Sequence, residues 1–174
     1  MLDCGAAEGI FALRVQERSG LLGIFEPLPL FSSSLSCTFS GLGNVKIVSA
    51  ALGDKSGEAF FEGSSLYGRI SDQPTKTVIP ITTIDAWAQQ QNTRVDYIKG
   101  DLEGFEMNVL KGAARVIAVY KPKIAMTMYH SENNWQEALA FVRDLAPDYQ
   151  YRLKGLAYSG GKAHPVMIHL WHPK

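Results

Sequence analysis

Residues 1–15 read MLDCGAAEGIFALRV, and the fold turns on them. An acidic residue followed by small residues is how a buried strand commonly ends and a helix begins. Here Asp3 is that residue, Gly5 and Gly9 punctuate the turn, and "GIFALRVQER" (9–18) mixes apolar and charged positions as a helix does. In an open α/β sheet, ligands gather beyond the carboxyl ends of the strands, where the strand order reverses. Gly5 and Gly9 lack a Cβ, so backbone there can approach a ligand closely. The helix N-terminus behind them offers free N–H groups to an anionic group. Only Met1 and Leu2 precede Asp3. The first strand is therefore expected to be truncated and an N-terminal leader to be missing. A central strand cut short loses ladder hydrogen bonds and apolar contacts, so a chain extended upstream is expected to be more stable.

Outward from this loop, "LLGIFEP" (21–27) is a short apolar run ending at Glu26, 23 residues after Asp3. A carboxylate at the end of a second strand accepts hydrogen bonds from the two hydroxyls of a ribose. The dinucleotide fingerprint G-x-G-x-x-G is not met, because Ala7 stands where its second glycine belongs. A Cβ there obstructs a pyrophosphate, and Glu8 adds negative charge beside it. No G-K-[ST] follows, so a phosphate-loop nucleotide site fits worse still. Loop and Glu26 together favour a nucleoside over a dinucleotide or a nucleoside triphosphate.

The chain has 174 residues, which fits one domain spanning 1–174. Its 46% hydrophobic and 20% charged residues are those of a globular protein with a sizeable core. Lys plus Arg balance Asp plus Glu at 17 each, so no long-range attraction to nucleic acid or an anionic membrane is expected. Two cysteines, Cys4 and Cys37, do not make a disulfide framework. The start lacks the basic lead and apolar run of a signal peptide, and no stretch is long and apolar enough to span a membrane. A cytoplasmic location is the expectation.

Strand-like and helix-like segments alternate, which predicts an α/β domain with a mainly parallel sheet. "LFSSSLSCTF" (30–39) reads as a weak helix, and "NVKIVSAALG" (44–53) opens with a strand. "GEAFFEG" (57–63) reads as a short strand. Residues 62–76, containing Tyr67 and Arg69, read as a loop able to line an acceptor site. "KTVIPITTIDAWAQQQ" (76–91) is a strand entering a helix, with Thr82 and Asp85 at capping-box spacing. "VDYIKGD" (95–101) is a strand, "GFEMNVLKGAARVI" (104–117) one helix, and "PKIAMTMYH" (122–130) a strand. "SENNWQEALAFVRDLA" (131–146) is a helix capped by Ser131. The remainder predicts two strands around "SGGK", an antiparallel edge on the sheet.

In "YIKGDLEGFEMNVLKG" (97–112), Lys99, Asp101, Glu103 and Glu106 gather where a strand becomes a helix. Helix capping alone explains part of this, since acidic residues suit a helix N-terminus. The ordered set "LDCGAAEGIFALRV", "FEPLP", "NVKIVSAALGDKSGEAFF", "IPITTIDAW" and "VDYIKGDLEGFEMNVLKGA" resembles the FkbM-type S-adenosylmethionine-dependent methyltransferases, from Leu2 to about Leu145. The K-x-D-x-E-G-x-E-x-x-x-L-K-G stretch is the family's most recognisable signature.

The resemblance implies a Rossmann-like class I methyltransferase fold, with a mainly parallel seven-stranded sheet and S-adenosyl-L-methionine at its carboxyl edge. Asp3, Gly5, Ala6 and Gly9 fall on the motif holding the methionine end, and Glu26 on the ribose-binding acid. Ala51 and Leu52 follow the third strand, beside adenine, and Asp101 follows the fourth, beside the methyl donor. The implied reaction is methylation of a hydroxyl on a sugar, glycolipid or small natural product. An alcohol acceptor must lose a proton. Asp101, Glu103 and His130 are the catalytic candidates, His130 because its intrinsic pKa suits a base near neutral pH. Many relatives carry Glu late in the fifth strand, about where Thr127 stands here. That departure, with the short first strand, motivates the alternative of a nucleoside-binding module without turnover. A small-molecule or glycan acceptor is expected as partner, and no resident metal. His164 and His172 share a strand face while His169 points away, which disfavours a histidine metal site.

Overall fold

The computed structural model describes residues 1–63, 68–129, 134–159 and 161–173, without the side chains of Asn134 and Ser159. Its elements run β1 (Leu2–Cys4), α1 (Ile10–Val15), β2 (Leu22–Phe25), α2 (Pro29–Thr38), β3 (Val45–Val48) and β4 (Ala51–Leu52). They continue β5 (Gly57–Glu62), β6 (Arg69–Ser71), β7 (Thr77–Thr82), α3 (Ile84–Gln90), β8 (Tyr97–Gly100) and α4 (Glu106–Lys111). The chain ends α5 (Ala114–Tyr120), β9 (Lys123–Thr127), α6 (Asn134–Leu145), β10 (Gln150–Ser159) and β11 (Lys162–Trp171).

Seven strands form one sheet in the order β10-β11-β9-β8-β1-β2-β3. The five central and far strands are parallel, and β11 and β10 form the antiparallel edge. β1 has three residues, all buried, and pairs with β2 on one side and β8 on the other. The strand order reverses at β1, so the ends of β1, β2 and β8 open onto one crevice. This mainly parallel α/β architecture with an antiparallel C-terminal edge is the one expected from the alternating pattern.

Sequence reading did not anticipate a second sheet. β4, β7, β5 and β6 form a four-stranded layer whose core contains Ala51, Phe61, Ile79 and Ile81. The loop expected over 62–76 is in part β6, paired antiparallel with β5. Arg69, Ile70 and Ser71 lack the long apolar alternation that marks a strand, and register with Glu62, Phe61 and Phe60 holds them instead.

The helix expected over 104–117 is two helices, α4 and α5, separated at Gly112 and Ala113. A Cβ on Gly112 would overlap the carbonyl oxygen of Gly53, so the close approach of the two chains requires glycine there. The expected pairing of Thr82 with Asp85 does not form the N-cap of α3. Thr83 caps it, its Oγ1 accepting from Ala86 N at 3.0 Å. Asp85 instead caps α5, with Oδ2 accepting from Arg115 N at 2.9 Å and Oδ1 from Val116 N at 2.8 Å. The proposed cap Ser131 lies outside the described residues.

The larger core fills the space between the central strands and α3 to α6, with Ile98, Val109, Ile117, Ile124 and Tyr149 among its buried members. A smaller core of Ala12, Leu22, Ile24 and Leu35 lies under α1 and α2. These two layers clamp the sheet from both faces and leave its carboxyl edge open.

Candidate active site

A cavity of about 290 Å³ lies at that edge. Gly5, Ala7 and Glu8 after β1, Glu26 and Leu28 after β2, and Ala51 and Leu52 of β4 form its inner walls. Asp101, Leu102, Glu103 and Phe105 after β8 form a third side. Phe61, Arg69 and Ile70 of the paired strands β5 and β6 complete the lining. The sequence placed Gly5, Glu26, Ala51, Leu52, Asp101 and Glu103 together and offered the 62–76 segment with Arg69 as lining; it did not find Phe31, Phe61 or Phe105, which pack with the core of the second sheet.

The loop after β1 is built around two glycines. Gly5 sits at φ +71°, and a Cβ on it would overlap the carbonyl oxygen of Asp101. Gly9 sits at φ +78°, where a Cβ would meet Leu35 Cδ2. Most N–H groups of the loop are already engaged. Gly5 N and Ala6 N donate to Phe25 O, and Gly9 N donates to Ala6 O at 2.8 Å. Asp3, Ala6 and Gly9 do not line the cavity; they support the loop that does.

Asp3 is fully buried. Lys99 Nζ stands 3.0 Å from its Oδ1 and donates to Gly5 O at 2.8 Å. Asp3 and Lys99 are register partners on adjacent strands, so the pair straps the glycine loop to the sheet. Neither Asp3 oxygen meets an aligned hydrogen-bond donor among the described residues. Burial pushes the Asp3 carboxyl above its ordinary value, and the Lys99 ammonium partly restores it.

Glu26 is 6% exposed yet faces the cavity. Its Oε2 accepts from Ala7 N at 3.0 Å and its Oε1 from Leu28 N at 2.9 Å. Burial raises this carboxyl, and the N–H groups of Leu28 and Ala7 pull it back. Each oxygen keeps a lone pair for a further donor.

Asp101 and Glu103 both line the cavity, Glu103 at φ +51° in a tight turn before α4. Glu106 is fully buried beneath them. Its Oε1 accepts from Leu102 N at 3.4 Å and Gly104 N at 3.3 Å. Glu106 was legible as an acidic residue near a helix start; its burial was not. His130 and Tyr67 lie outside the described residues. Among the described residues, no group of three or more His, Cys, Asp or Glu side chains is arranged to hold a metal ion, and no helix is long and apolar enough to cross a membrane. Cys4 is buried and Cys37 exposed, and both are free thiols.

No curated protein matches the chain. A solved FkbM methyltransferase from Methylobacillus flagellatus KT is similar at TM-score 0.73 and 20% identity, covering 98% of this chain. This chain spans 43% of that protein's length. A candidate methyltransferase from Streptococcus mutans, in complex with S-adenosylhomocysteine, is similar at TM-score 0.57 and 10% identity, covering 98% of this chain and 86% of its own. An rRNA methylase from Streptococcus thermophilus is similar at TM-score 0.56 and 11% identity, covering 98% of this chain and 84% of its own. At these identities the likeness is one of fold, the class I methyltransferase fold. A family model, the methyltransferase FkbM domain, matches residues 3–153 and so takes in the glycine loop, Glu26 and the Asp101 turn. The chain belongs to the FkbM methyltransferase domain family.

Proposed function

We propose that the chain is an S-adenosylmethionine-dependent methyltransferase acting on a hydroxyl of a sugar, glycolipid or small natural product. The observation that carries this is Glu26, a buried carboxylate with a free lone pair on each oxygen, facing the cavity at the end of β2. The lining also fits the cofactor's charge. Glu8, Glu26, Asp101 and Glu103 surround the space, against one basic side chain, Arg69, among the described lining residues. Such a site favours a nucleoside carrying positive charge and disfavours a pyrophosphate.

When bound, S-adenosylmethionine supplies an electrophilic methyl group on a sulfonium. The chain's own residues do the rest. Glu26 would accept from the ribose hydroxyls of the bound nucleoside. Leu28, Phe31, Ala51 and Leu52 offer apolar surface to the adenine. The Gly5 turn lets backbone reach the methionine end. The chain's main task would be to align the acceptor with that methyl group, and orientation alone supplies several kcal/mol. Asp101 or Glu103 takes the proton from the acceptor hydroxyl. His130 is the third candidate base.

Calorimetric titration with S-adenosylhomocysteine tests the reading. Micromolar binding by the chain, lost in Glu26→Ala, is the expected result, with no binding of NAD. A folded chain that binds NAD instead would overturn it. Binding without methyl transfer to any hydroxyl acceptor would identify a nucleoside-binding module.

A further inference from the structure

Thr127 closes β9 and is buried, at the strand position opposite the Asp101 turn. Its Oγ1 donates to Asp101 Oδ1 at 3.0 Å and stands 3.3 Å from Glu106 Oε1. A hydroxyl has one hydrogen, and the shorter contact directs it to Asp101. Glu106 meanwhile accepts from the backbone of Leu102 and Gly104, the residues that flank Glu103. One buried hydroxyl and one buried carboxylate thus underpin Asp101 and the turn that carries Glu103, the two acidic groups on the β8 side of the cavity.

We infer that Thr127 is a positioning residue for the cofactor site: its hydroxyl aims the Asp101 carboxylate into the cavity, and Glu106 holds the turn that carries it. This rests on the reading of the cavity as an S-adenosylmethionine site. The hydroxyl ties the Asp101 carboxylate to the end of β9 through Oδ1, while Glu106 Oε1 takes its donors from the backbone of Leu102 and Gly104.

Two variants separate this from packing. Thr127→Val keeps the shape and removes the donor; Thr127→Ser keeps the donor and removes a buried methyl. Positioning predicts that Thr127→Val binds S-adenosylhomocysteine at least about tenfold more weakly, the loss of one hydrogen bond to a charged group, while Thr127→Ser stays within about twofold of the parent. A packing role predicts the reverse order, and that order overturns the inference. If Thr127→Val does not fold, Thr127→Ala against Thr127→Ser carries the same contrast. A second measurement needs no ligand. Amide hydrogen exchange of the free chain should quicken at Leu102 and Gly104 in Glu106→Ala while Ile98 in β8 keeps its protection. Unchanged exchange at the turn overturns the role of Glu106. Quickened exchange in a chain that binds no S-adenosylhomocysteine would uphold the turn and overturn the cofactor reading with Thr127's part in it.

Discussion

At the scale of single residues, the site depends on groups whose alternatives are physically excluded. Gly5 is one. Its left-handed backbone costs a side chain roughly 1–2 kcal/mol, and the overlap with the Asp101 carbonyl adds to that. Gly5→Ala is expected to lower the urea midpoint and weaken cofactor binding together, because the turn and Asp101 share the strained space. Lys99 is another. Removing it leaves Asp3 buried and uncompensated, so Lys99→Met should cost on the order of 3–5 kcal/mol in urea unfolding. Glu26 has a pH signature. Burial raises its carboxyl above the ordinary 4.5, so the folded chain holds that proton more tightly than the unfolded chain. Its contribution to stability is complete below the unfolded value and is lost as pH rises through the folded one. Glu26→Gln escapes this loss. Relative to the parent, the variant should gain stability as pH rises from about 4.5. Parallel pH curves for the two proteins would contradict it.

At the scale of elements, ends and breaks matter more than helical propensity. Thr82 and Asp85 have capping-box spacing, and that spacing alone predicts a cap on α3. The register of β7 instead brings Thr83 to the start of α3, and tertiary contact sends Asp85 to α5. Asp85→Ala should therefore destabilise by about 1 kcal/mol through the loss of the α5 cap, measurable by urea denaturation. The break between α4 and α5 has a similar origin. Periodicity from Met107 to Ile117 reads as one helix, since the apolar stripe is nearly continuous. Contact between Gly112 and the Gly53 backbone bends it, and no local pattern marks a contact so distant in sequence. β6 was hidden for the same reason: its three residues are a strand because β5 pairs with them.

At the scale of the whole molecule, the crevice exists because the strand order reverses at β1. Three strand ends there carry Gly5, Glu26 and Asp101 to one place. The second sheet then adds Phe61, Arg69 and Ile70 to its lining. A ligand that binds only the assembled crevice stabilises the fold by mass action. S-adenosylhomocysteine at one hundred times its dissociation constant should add about 2.7 kcal/mol to unfolding. A thermal scan that rises with ligand in the parent and not in Glu26→Ala would measure it.

The sequence by itself determined the alternation of strands and helices, the antiparallel edge, and the acidic and glycine residues at strand ends. Those are local patterns, set by side-chain period and backbone freedom over a few residues. Only the tertiary structure decided that Asp3 supports the loop from behind, that Glu106 is buried near Asp101, and that β5 and β6 contribute to the cavity lining. These depend on register between strands far apart in the chain, such as Asp3 beside Lys99, and on the packing of one layer against another. Burial and partner choice are properties of that packing, so no spacing within a single segment encodes them.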